Sequence, residues 1–174
     1  EILKTTCSIE PKTEVEAKGI VDIGSKGEWT VTDVSSAPAK RSPRPPFTTS
    51  TLQQAASSRL GFSPSRTMRI AQKLYEAGLI TYMRTDSVTL SSVAIGEIAG
   101  LVKSEFGPEF HMGRKWKTQS KSAQEAHEAI RPTRAKTRAA GATDDERRLY
   151  DLIWRRTVAS QMADAKQKKT RIEA

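Results

Sequence analysis

The chain has 174 residues, 36% of them hydrophobic, and carries a formal net charge of +9 with a pI of about 9.8. This length allows one domain, or one domain plus part of another, and no apolar run is long enough to cross a membrane. The N-terminus lacks the pattern of a secretory signal, and the single Cys7 cannot form an internal disulfide, so we expect a cytoplasmic protein. Because the chain begins at Glu1 rather than at a methionine, we expect a processed product or a piece of a longer protein.

The positive charge is unevenly distributed along the chain. No acidic residue lies between Val34 and Tyr75, a stretch that contains seven lysines and arginines. Further basic residues cluster at 114–121 and at 131–138. This distribution favours nucleic acid as the partner, and the alternative is a basic surface that only faces solvent.

The first third of the chain differs from the rest. Residues 14–21 are predicted to form a short helix, and the alternation in GEWTVTDVSS, residues 27–36, indicates a strand. Residues 37–46, APAKRSPRPP, contain four prolines and three basic residues, which is typical of an extended connector. We therefore expect a domain boundary there.

A first helix is predicted directly after this connector. Ser50 and Gln53 fit a capping box at its start, and Gly61 fits its end. Its predicted apolar face consists of Leu52, Ala55, Ala56 and Leu60.

A second helix is predicted to begin with Ser63 as N-cap and Pro64 in the first turn, and to end at Gly78. Its predicted apolar stripe consists of Met68, Ala71, Leu74 and Tyr75. The short Gly-containing turn between the two helices fits a helix-turn-helix unit that exposes basic residues to phosphates. It equally fits an αα-hairpin with a solvated basic face, and the spacing does not decide between them.

Three further elements are predicted before residue 131. The β-branched and aromatic residues of LITYMRT, residues 79–85, favour an extended segment. A helix is expected to start at Ser91 or Ser92 and to stop at Gly107, with Ile95, Ile98, Val102 and Phe106 facing inward. Residues 124–130, QEAHEAI, are predicted to form about two helical turns.

The end of the chain is predicted to contain one long helix. Thr143 and Glu146 fit a capping box, and the apolar pattern continues to about Met162. The acidic residues 144–146 are interpreted as favourable charges at the helix N-terminus. Residues 163–174 are expected to form a basic connector into another element.

Tyr82 is a candidate nucleophile for a phosphodiester. A tyrosine phenol has an ordinary pKa of about 10, so it requires help from neighbouring groups to attack phosphorus. In an extended segment Arg84 lies on the same face as Tyr82 and can offset charge on the attacked phosphate, and Asp86 can orient Arg84 through an ion pair. By itself the Tyr-x-Arg spacing is weak and favours a structural tyrosine beside a surface arginine.

His127 is a second candidate residue. If residues 124–130 are helical, Arg131 lies on the same face as His127, and the two side chains suit an anionic ligand. A lone histidine is more often structural than catalytic. The sequence contains no acidic cluster spaced to hold Mg²⁺, no zinc-ligand spacing and no Walker loop, so no metal site is predicted.

Three stretches of the sequence resemble the central region of bacterial type IA DNA topoisomerases. They are PPFTTSTLQQAASSRLGFSPSRTMRIAQKLYEAGLITYMRTDS (residues 45–87), SKSAQEAHEAIRPT (120–133) and RRLYDLIWRRTVASQM (147–162). The resemblance is close from Pro45 to Met162 and looser over the first 44 residues.

The resemblance implies an ATP-independent isomerase that cuts and rejoins one DNA strand and relaxes negative supercoils. It implies that Tyr82 becomes linked to a 5′ phosphate, that Arg84 positions the scissile phosphate, and that His127, Glu76 and Asp86 lie in the same active site. Arg59 and Arg131, together with Arg84, are candidates for contacts with the DNA strand.

The resemblance also implies a fold and a domain order. The expected class is mainly α: residues 47–162 form a helix-turn-helix-like, tyrosine-bearing domain, and residues 1–46 and 163–174 are parts of a β-containing arch or hinge domain. In this family Mg²⁺ is bound by a preceding domain that this chain lacks. We therefore expect no metal in this chain, single-stranded DNA as partner, a nucleoid-associated location, and an active site completed by other domains of the same polypeptide.

Three rival interpretations remain. The first is a DNA-binding module without chemistry, built on the pair of helices. The second is a structural domain whose basic patches are incidental. A tyrosine recombinase also uses Tyr, Arg and His, but there the tyrosine follows the Arg and His residues, whereas Tyr82 precedes His127 and Arg131. The polarity of a covalent link to DNA distinguishes the recombinase from the type IA enzyme.

Overall fold

A computed structural model of the protein describes residues 6–116 and 128–174. The chain divides into two compact units, Glu1–Ala39 with Gln167–Ala174, and Lys40–Lys166. The described residues form five α-helices, a 3-10 turn at Pro108–Phe110 and one two-stranded sheet, which confirms the mainly α fold class. The family domain boundaries after residues 46 and 162 stay a prediction.

The helix and the strand predicted in the first third both exist, but with different bounds. Helix α1 covers Glu14–Lys26 and is longer than predicted. Strand β1 covers Asp33–Arg41, so the prediction was wrong for 27–32, and part of the presumed connector is a strand. Pro38 is tolerated in β1 because every strand of a two-stranded ribbon has a free edge.

The tail that was predicted as a connector forms strand β2, Ala165–Glu173. The backbone N–H of Thr32 donates to the carbonyl of Glu173 at 2.8 Å, and the hydroxyls of Ser36 and Thr170 lie 3.0 Å apart, so β1 and β2 run antiparallel. Helix α1 buries no residue, and both strands are largely exposed. The described part of this unit therefore contains no buried hydrophobic core.

The second unit contains the hydrophobic core and four helices. These are α2 (Thr49–Leu60), α3 (Pro64–Glu76), α4 (Ser92–Glu105) and α5 (Asp144–Ala159). Helices α2 and α3 pack against each other, and both pack against α5. The fully buried side chains at the centre include Phe47, Leu52, Leu74, Leu149 and Ile153. Burial of this apolar surface is the main force that holds the helices together.

The predicted ends of α3 and α4 are confirmed, and the start of α2 differs. Ser63 and Ser91 cap α3 and α4 as predicted, and Gly61 ends α2 with a φ of 70°. The capping box of α2 is formed by Thr48 and Thr51 and not by Ser50 and Gln53. The box lies two residues earlier because the threonine pair provides the same reciprocal bonds, each side chain accepting the partner's backbone N–H.

Two apolar residues predicted to face inward are exposed: Tyr75 is 41% and Phe106 is 40% accessible. Each lies at the last turn of its helix, where the chain already leaves the packed face. The predicted helix at 124–130 is wrong over 128–130, which is extended and pairs with Phe47 through Ile130; its remaining residues lie outside the described ranges. Residues 128–130 form backbone hydrogen bonds to distant parts of the chain instead of the local hydrogen bonds of a helix.

Helix α5 begins as predicted but ends at Ala159, three residues before Met162. The hydroxyl of Thr143 accepts the backbone N–H of Glu146 at 3.2 Å. The carboxylate of Glu146 reaches one residue beyond the N-cap and accepts the N–H of Ala142 at 2.8 Å. Thr143 therefore satisfies one of the free N–H groups at the helix start, and Glu146 satisfies the N–H of the residue before the N-cap.

We expect Thr143→Ala to lower the free energy of unfolding by about 1 kcal/mol, because a free N–H of α5 loses its acceptor. Urea denaturation followed by circular dichroism measures this difference. Thr143→Ser retains the hydroxyl and is the matched control. Equal stability of the alanine and serine variants would contradict the assignment of this cap.

Candidate active site

Tyr82 lies in an extended segment that follows α3. Side chains alternate between exposed and buried along this segment. The exposed set is Tyr82, Arg84 and Asp86, and the buried set is Met83, Thr85 and Ser87. The prediction that Tyr82 and Arg84 share one face is therefore confirmed. Tyr82 is 41% accessible, so its ring is partly packed while the segment's outer face remains open.

Thr49, the first residue of α2, fixes the backbone on both sides of Arg84. Its backbone N–H donates to the carbonyl of Thr85 at 2.9 Å. Its hydroxyl donates to the carbonyl of Met83 at 2.8 Å and accepts the N–H of Thr85 at 2.9 Å. Since Met83 and Thr85 flank Arg84, the position of the arginine backbone is set by the N-terminus of α2.

Thr81 fixes the other side of Tyr82. Its backbone N–H donates to the carbonyl of Arg131 at 2.9 Å, and its hydroxyl donates to the carbonyl of Ala129 at 2.7 Å and accepts the N–H of Arg131 at 3.0 Å. An antiparallel bridge between Ile80 and Pro132 extends this pairing. The tyrosine-bearing segment is thus held between α2 and residues 129–132.

The ring of Tyr82 contacts the ring of Tyr75 at the end of α3. The ring centroids are 5.2 Å apart, and the planes meet at 68°, an edge-to-face arrangement. Tyr75 was predicted as part of an apolar stripe and is instead a neighbour of the candidate nucleophile. The helical spacing gave no signal for this contact, because the turn at Gly78 brings the two tyrosines together.

The other candidate residues have different surroundings. Glu76 accepts a hydrogen bond from the amide of Gln72 at 2.7 Å, and it directly follows Tyr75. In the described part of the chain no ion pair joins Arg84 to Asp86, so the predicted orienting pair is not formed. His127 lies outside the described residues. The structure therefore brings together Tyr82, Arg84 and Asp86 on one exposed face.

Arg131 is a paired and largely buried residue. One guanidinium nitrogen donates to Glu128 Oε2 at 2.6 Å and another to the carbonyl of Pro132 at 2.9 Å, and 15% of its side chain is accessible. Glu128 Oε1 accepts the backbone N–H of Ser91 at 2.7 Å. Glu128 therefore connects Arg131 to the start of α4. The role of Arg131 in strand contact stays a prediction.

The basic face of α3 is only partly free. Arg66 forms an ion pair with Asp145 of α5, with Nη2 and Oδ2 2.6 Å apart. Arg69 and Lys73 are exposed and have no ion-pair partner within residues 6–116 and 128–174. Two of the three basic residues therefore keep their charge available to a ligand. Arg59, in the last turn of α2, is also exposed.

Metal-ligand groups and membrane-spanning helices are both absent from the described residues. Within them, no group of three or more His, Cys, Asp or Glu side chains is positioned to hold a metal ion. None of the helices in the same ranges is long and apolar enough to cross a membrane.

The chain is similar to several known proteins. A family model described as DNA topoisomerase matches residues 5–174. DNA topoisomerase 1 of Zymomonas mobilis is 48% identical over 168 residues, covering 95% of this chain and 14% of that protein. DNA topoisomerase 1 of Synechocystis sp. is 52% identical over 143 residues, covering 79% of this chain and 16% of that protein.

A solved structure of full-length topoisomerase I from Thermotoga maritima is also similar. It is 40% identical with a TM-score of 0.71, covering 90% of this chain and 27% of that chain. These matches define the protein class as a DNA topoisomerase. The chain belongs to the bacterial DNA topoisomerase family, and it spans 14–16% of the length of the two relatives named above.

We expect Glu128→Gln to lower the free energy of unfolding at neutral pH by about 1 kcal/mol. We also expect this variant to lose less stability than wild type when the pH is lowered. Burial raises the pKa of Glu128, but hydrogen bonds from Arg131 and Ser91 outweigh it and hold the pKa below the ordinary 4.5. A lowered pKa in the folded state stabilises the fold above pH 4.5, and this stabilisation is lost as the pH falls through the folded-state value.

Thermal melts between neutral pH and pH 3 would measure this difference. Glu105→Gln, which removes a carboxylate from an exposed pair with Arg138, is the control and should leave the pH profile nearly unchanged. If the melting temperatures of wild type and Glu128→Gln change with pH in the same way, the Glu128–Arg131 pair does not contribute to the pH dependence of stability.

Proposed function

We propose that this chain is the tyrosine-bearing part of a type IA DNA topoisomerase and that Tyr82 is the nucleophile. The supporting observation is that Tyr82 and Arg84 share the exposed face of a segment whose backbone is fixed on both sides, in a chain of the DNA topoisomerase family. A fixed backbone limits the positions of the phenol and the guanidinium, which is how an enzyme aligns a nucleophile with its target.

The proposed reaction conserves the energy of the DNA backbone. The phenol oxygen of Tyr82 forms a bond to phosphorus while the bond from phosphorus to the 3′ oxygen breaks. The phenol gives up its proton and the leaving 3′ oxygen gains one, so the products are a 5′-phosphotyrosyl link and a free 3′ hydroxyl. The reverse step rejoins the strand without ATP. Arg84 offsets the negative charge that builds up on the phosphate oxygens.

The remaining candidates have supporting roles in this proposal. His127, Glu76 and Asp86 contribute to the surroundings of the scissile phosphate, and Arg59, Arg84 and Arg131 contact the DNA strand. Asp86 is exposed on the same face as Tyr82, which supports its place in the site. Glu76 is adjacent to Tyr75, whose ring contacts Tyr82. Arg131 has the weakest support, because Glu128 already neutralises its charge.

The whole reaction requires parts outside this chain. In the proposal, Mg²⁺ is held by another domain of the longer polypeptide, and that domain completes the active site around Tyr82. Single-stranded DNA is the substrate, and passage of a second strand through the break relaxes negative supercoils. A cytoplasmic, nucleoid-associated location belongs to the same proposal. The much greater length of the relatives supports a multidomain enzyme.

We expect Tyr82→Phe in the full-length protein to abolish the covalent adduct with single-stranded DNA, because the ring remains but the nucleophilic oxygen is lost. Denaturing the reaction and separating labelled adducts on a gel would measure this. Tyr75→Phe removes the neighbouring hydroxyl and is the matched control that retains the adduct.

The position of the label gives the polarity of the link. A 5′-phosphotyrosyl bond leaves the 3′-labelled part of the oligonucleotide on the protein, whereas a 3′ link leaves the 5′-labelled part. A 3′ link would support the recombinase, and an adduct that survives Tyr82→Phe would identify a different nucleophile.

We expect the 174-residue chain alone to leave negatively supercoiled plasmid unrelaxed in the presence of Mg²⁺. The described residues offer no metal site, and the proposed active site is completed by another domain. Agarose gel electrophoresis after incubation with purified chain measures the result, with the full-length protein as positive control. Relaxation by the purified chain would contradict the proposal that another domain completes the active site.

A further inference from the structure

Four buried side-chain atoms in the described residues have no hydrogen-bond partner. They are His111 Nε2, Arg131 Nε, Thr157 Oγ1 and Gln161 Oε1. Burying a polar atom without a partner costs free energy, so such atoms mark places where a ligand or an ordered water completes the hydrogen bonding. Two of the four belong together, because Arg131 and Thr157 line the same small cavity.

This cavity lies between α4, α5 and residues 131–135. Its volume is about 10 Å³. A cavity of about 10–15 Å³ accommodates one water molecule, provided that polar groups are present to bind it. Most of the lining is apolar, and the polar side chains in it belong to Glu97, Arg131 and Thr157. The size of the cavity therefore suits water and excludes a polyatomic anion.

Two hydrogen bonds fix the direction of the Arg131 Nε–H. Nη1 donates to the carbonyl of Pro132 at 2.9 Å, and Nη2 donates to Glu128 Oε2 at 2.6 Å. Because the guanidinium group is planar, these two bonds also fix the direction in which Nε–H points. This N–H is buried and has no acceptor among the described residues. It is a donor that a bound water can satisfy.

The hydroxyl of Thr157 is the second polar group. Thr157 is only 2% accessible. A threonine inside a helix commonly bonds its hydroxyl to the carbonyl three or four residues earlier, as Ser160 bonds to the carbonyl of Thr157 at 2.6 Å. The Thr157 hydroxyl has no such bond, and no other partner within the described ranges. Its capacity to donate and to accept is therefore available to the cavity.

Glu97 of α4 decides the charge of the ligand. Its Oε2 accepts the backbone N–H of Ala135 at 3.4 Å, and both residues line the cavity. A carboxylate beside the cavity repels an anion but accepts a hydrogen bond from water. The charge of Arg131 is already offset by Glu128. The surroundings therefore favour a neutral ligand that can both donate and accept.

We propose that this cavity binds one ordered water molecule that joins α5 to Arg131. The water oxygen accepts the Nε–H of Arg131. One water proton is donated to Thr157 Oγ1 and the other to the carboxylate of Glu97. Three hydrogen bonds are typical of a buried water. The site is independent of the chemistry assigned to Tyr82.

The water connects α5 to the part of the chain that holds the tyrosine segment. The carbonyl of Arg131 accepts the backbone N–H of Thr81 at 2.9 Å, and the N–H of Arg131 donates to the Thr81 hydroxyl at 3.0 Å. Thr81 directly precedes Tyr82. The bound water thus adds a support from α5 to the pairing between residues 129–132 and the tyrosine segment.

A high-resolution crystal structure of the 174-residue chain tests the site directly. We expect density for one water at about 2.7–3.2 Å from both Arg131 Nε and Thr157 Oγ1. Thr157→Ser keeps the hydroxyl and should keep the water, whereas Thr157→Val should lose it. A wild-type cavity without this density would overturn the proposal, and so would the same density in wild type and in Thr157→Val.

Thermal melts provide a second measurement that requires no crystal. Threonine and valine have similar shapes and similar helix propensities, so Thr157→Val isolates the hydroxyl. We expect this variant to melt about 2–4 °C below wild type, because the water loses one of its partners. A variant that melts above wild type would overturn the proposal, since removal of a truly unpaired buried hydroxyl stabilises the fold. Circular dichroism checks that the variant is folded.

A chloride ion is the alternative ligand, since it also accepts hydrogen bonds from Nε–H and from a hydroxyl. Melts in sodium chloride and in sodium glutamate at equal concentration distinguish the two. For water, the difference in melting temperature between wild type and Thr157→Val is the same in both salts. A difference that appears only in chloride identifies the ion as the ligand, and the proposal is then wrong.

Discussion

Two threonine side chains hold the segment on which the candidate chemistry depends. Thr49 binds the backbone at Met83 and Thr85, and Thr81 binds the backbone at Ala129 and Arg131. Each hydroxyl both donates and accepts, so each replaces the ladder bonds that an isolated extended segment lacks. The outward face of the segment carries Tyr82 because its inward face is fixed to two distant parts of the chain.

Around this segment, charge is balanced in some places and left unbalanced in others. Arg66, Arg131 and Arg155 are neutralised by carboxylates and contribute to structure. Arg44, Arg59 and Arg84 have no such partner among the described residues. The basic composition alone does not show which arginines are paired and which are not. Pairing depends on which acidic residue lies beside each arginine in the folded chain. The unpaired ones are the residues that suit an anionic substrate.

The sequence was most reliable where structure is decided by neighbouring residues. Ser63, Ser91 and Thr143 cap their helices as predicted, and Gly61 ends α2 in the left-handed conformation that glycine favours. It was least reliable where distant residues compete for the backbone. Residues 128–130 were predicted as helix, but Ile130 pairs with Phe47 in an extended conformation. The hydrogen bonds of this pairing come from a distant part of the chain and are not visible in the local sequence.

The sequence by itself determined the helices, the extended form of the tyrosine segment and the family, because these follow from local spacing and from long matching stretches. It placed Tyr82 and Arg84 on one face through the two-residue period of an extended chain. Only the tertiary structure decided that Tyr75 contacts Tyr82, that Glu128 neutralises Arg131, and that Arg156 lies over Phe47. The Tyr75–Tyr82 and Arg156–Phe47 contacts join residues that local spacing leaves apart, and packing of the helices and the extended segments around the shared core brings them together. Glu128 and Arg131 are only three positions apart, but Glu128 is also held by the backbone N–H of Ser91, a distant residue.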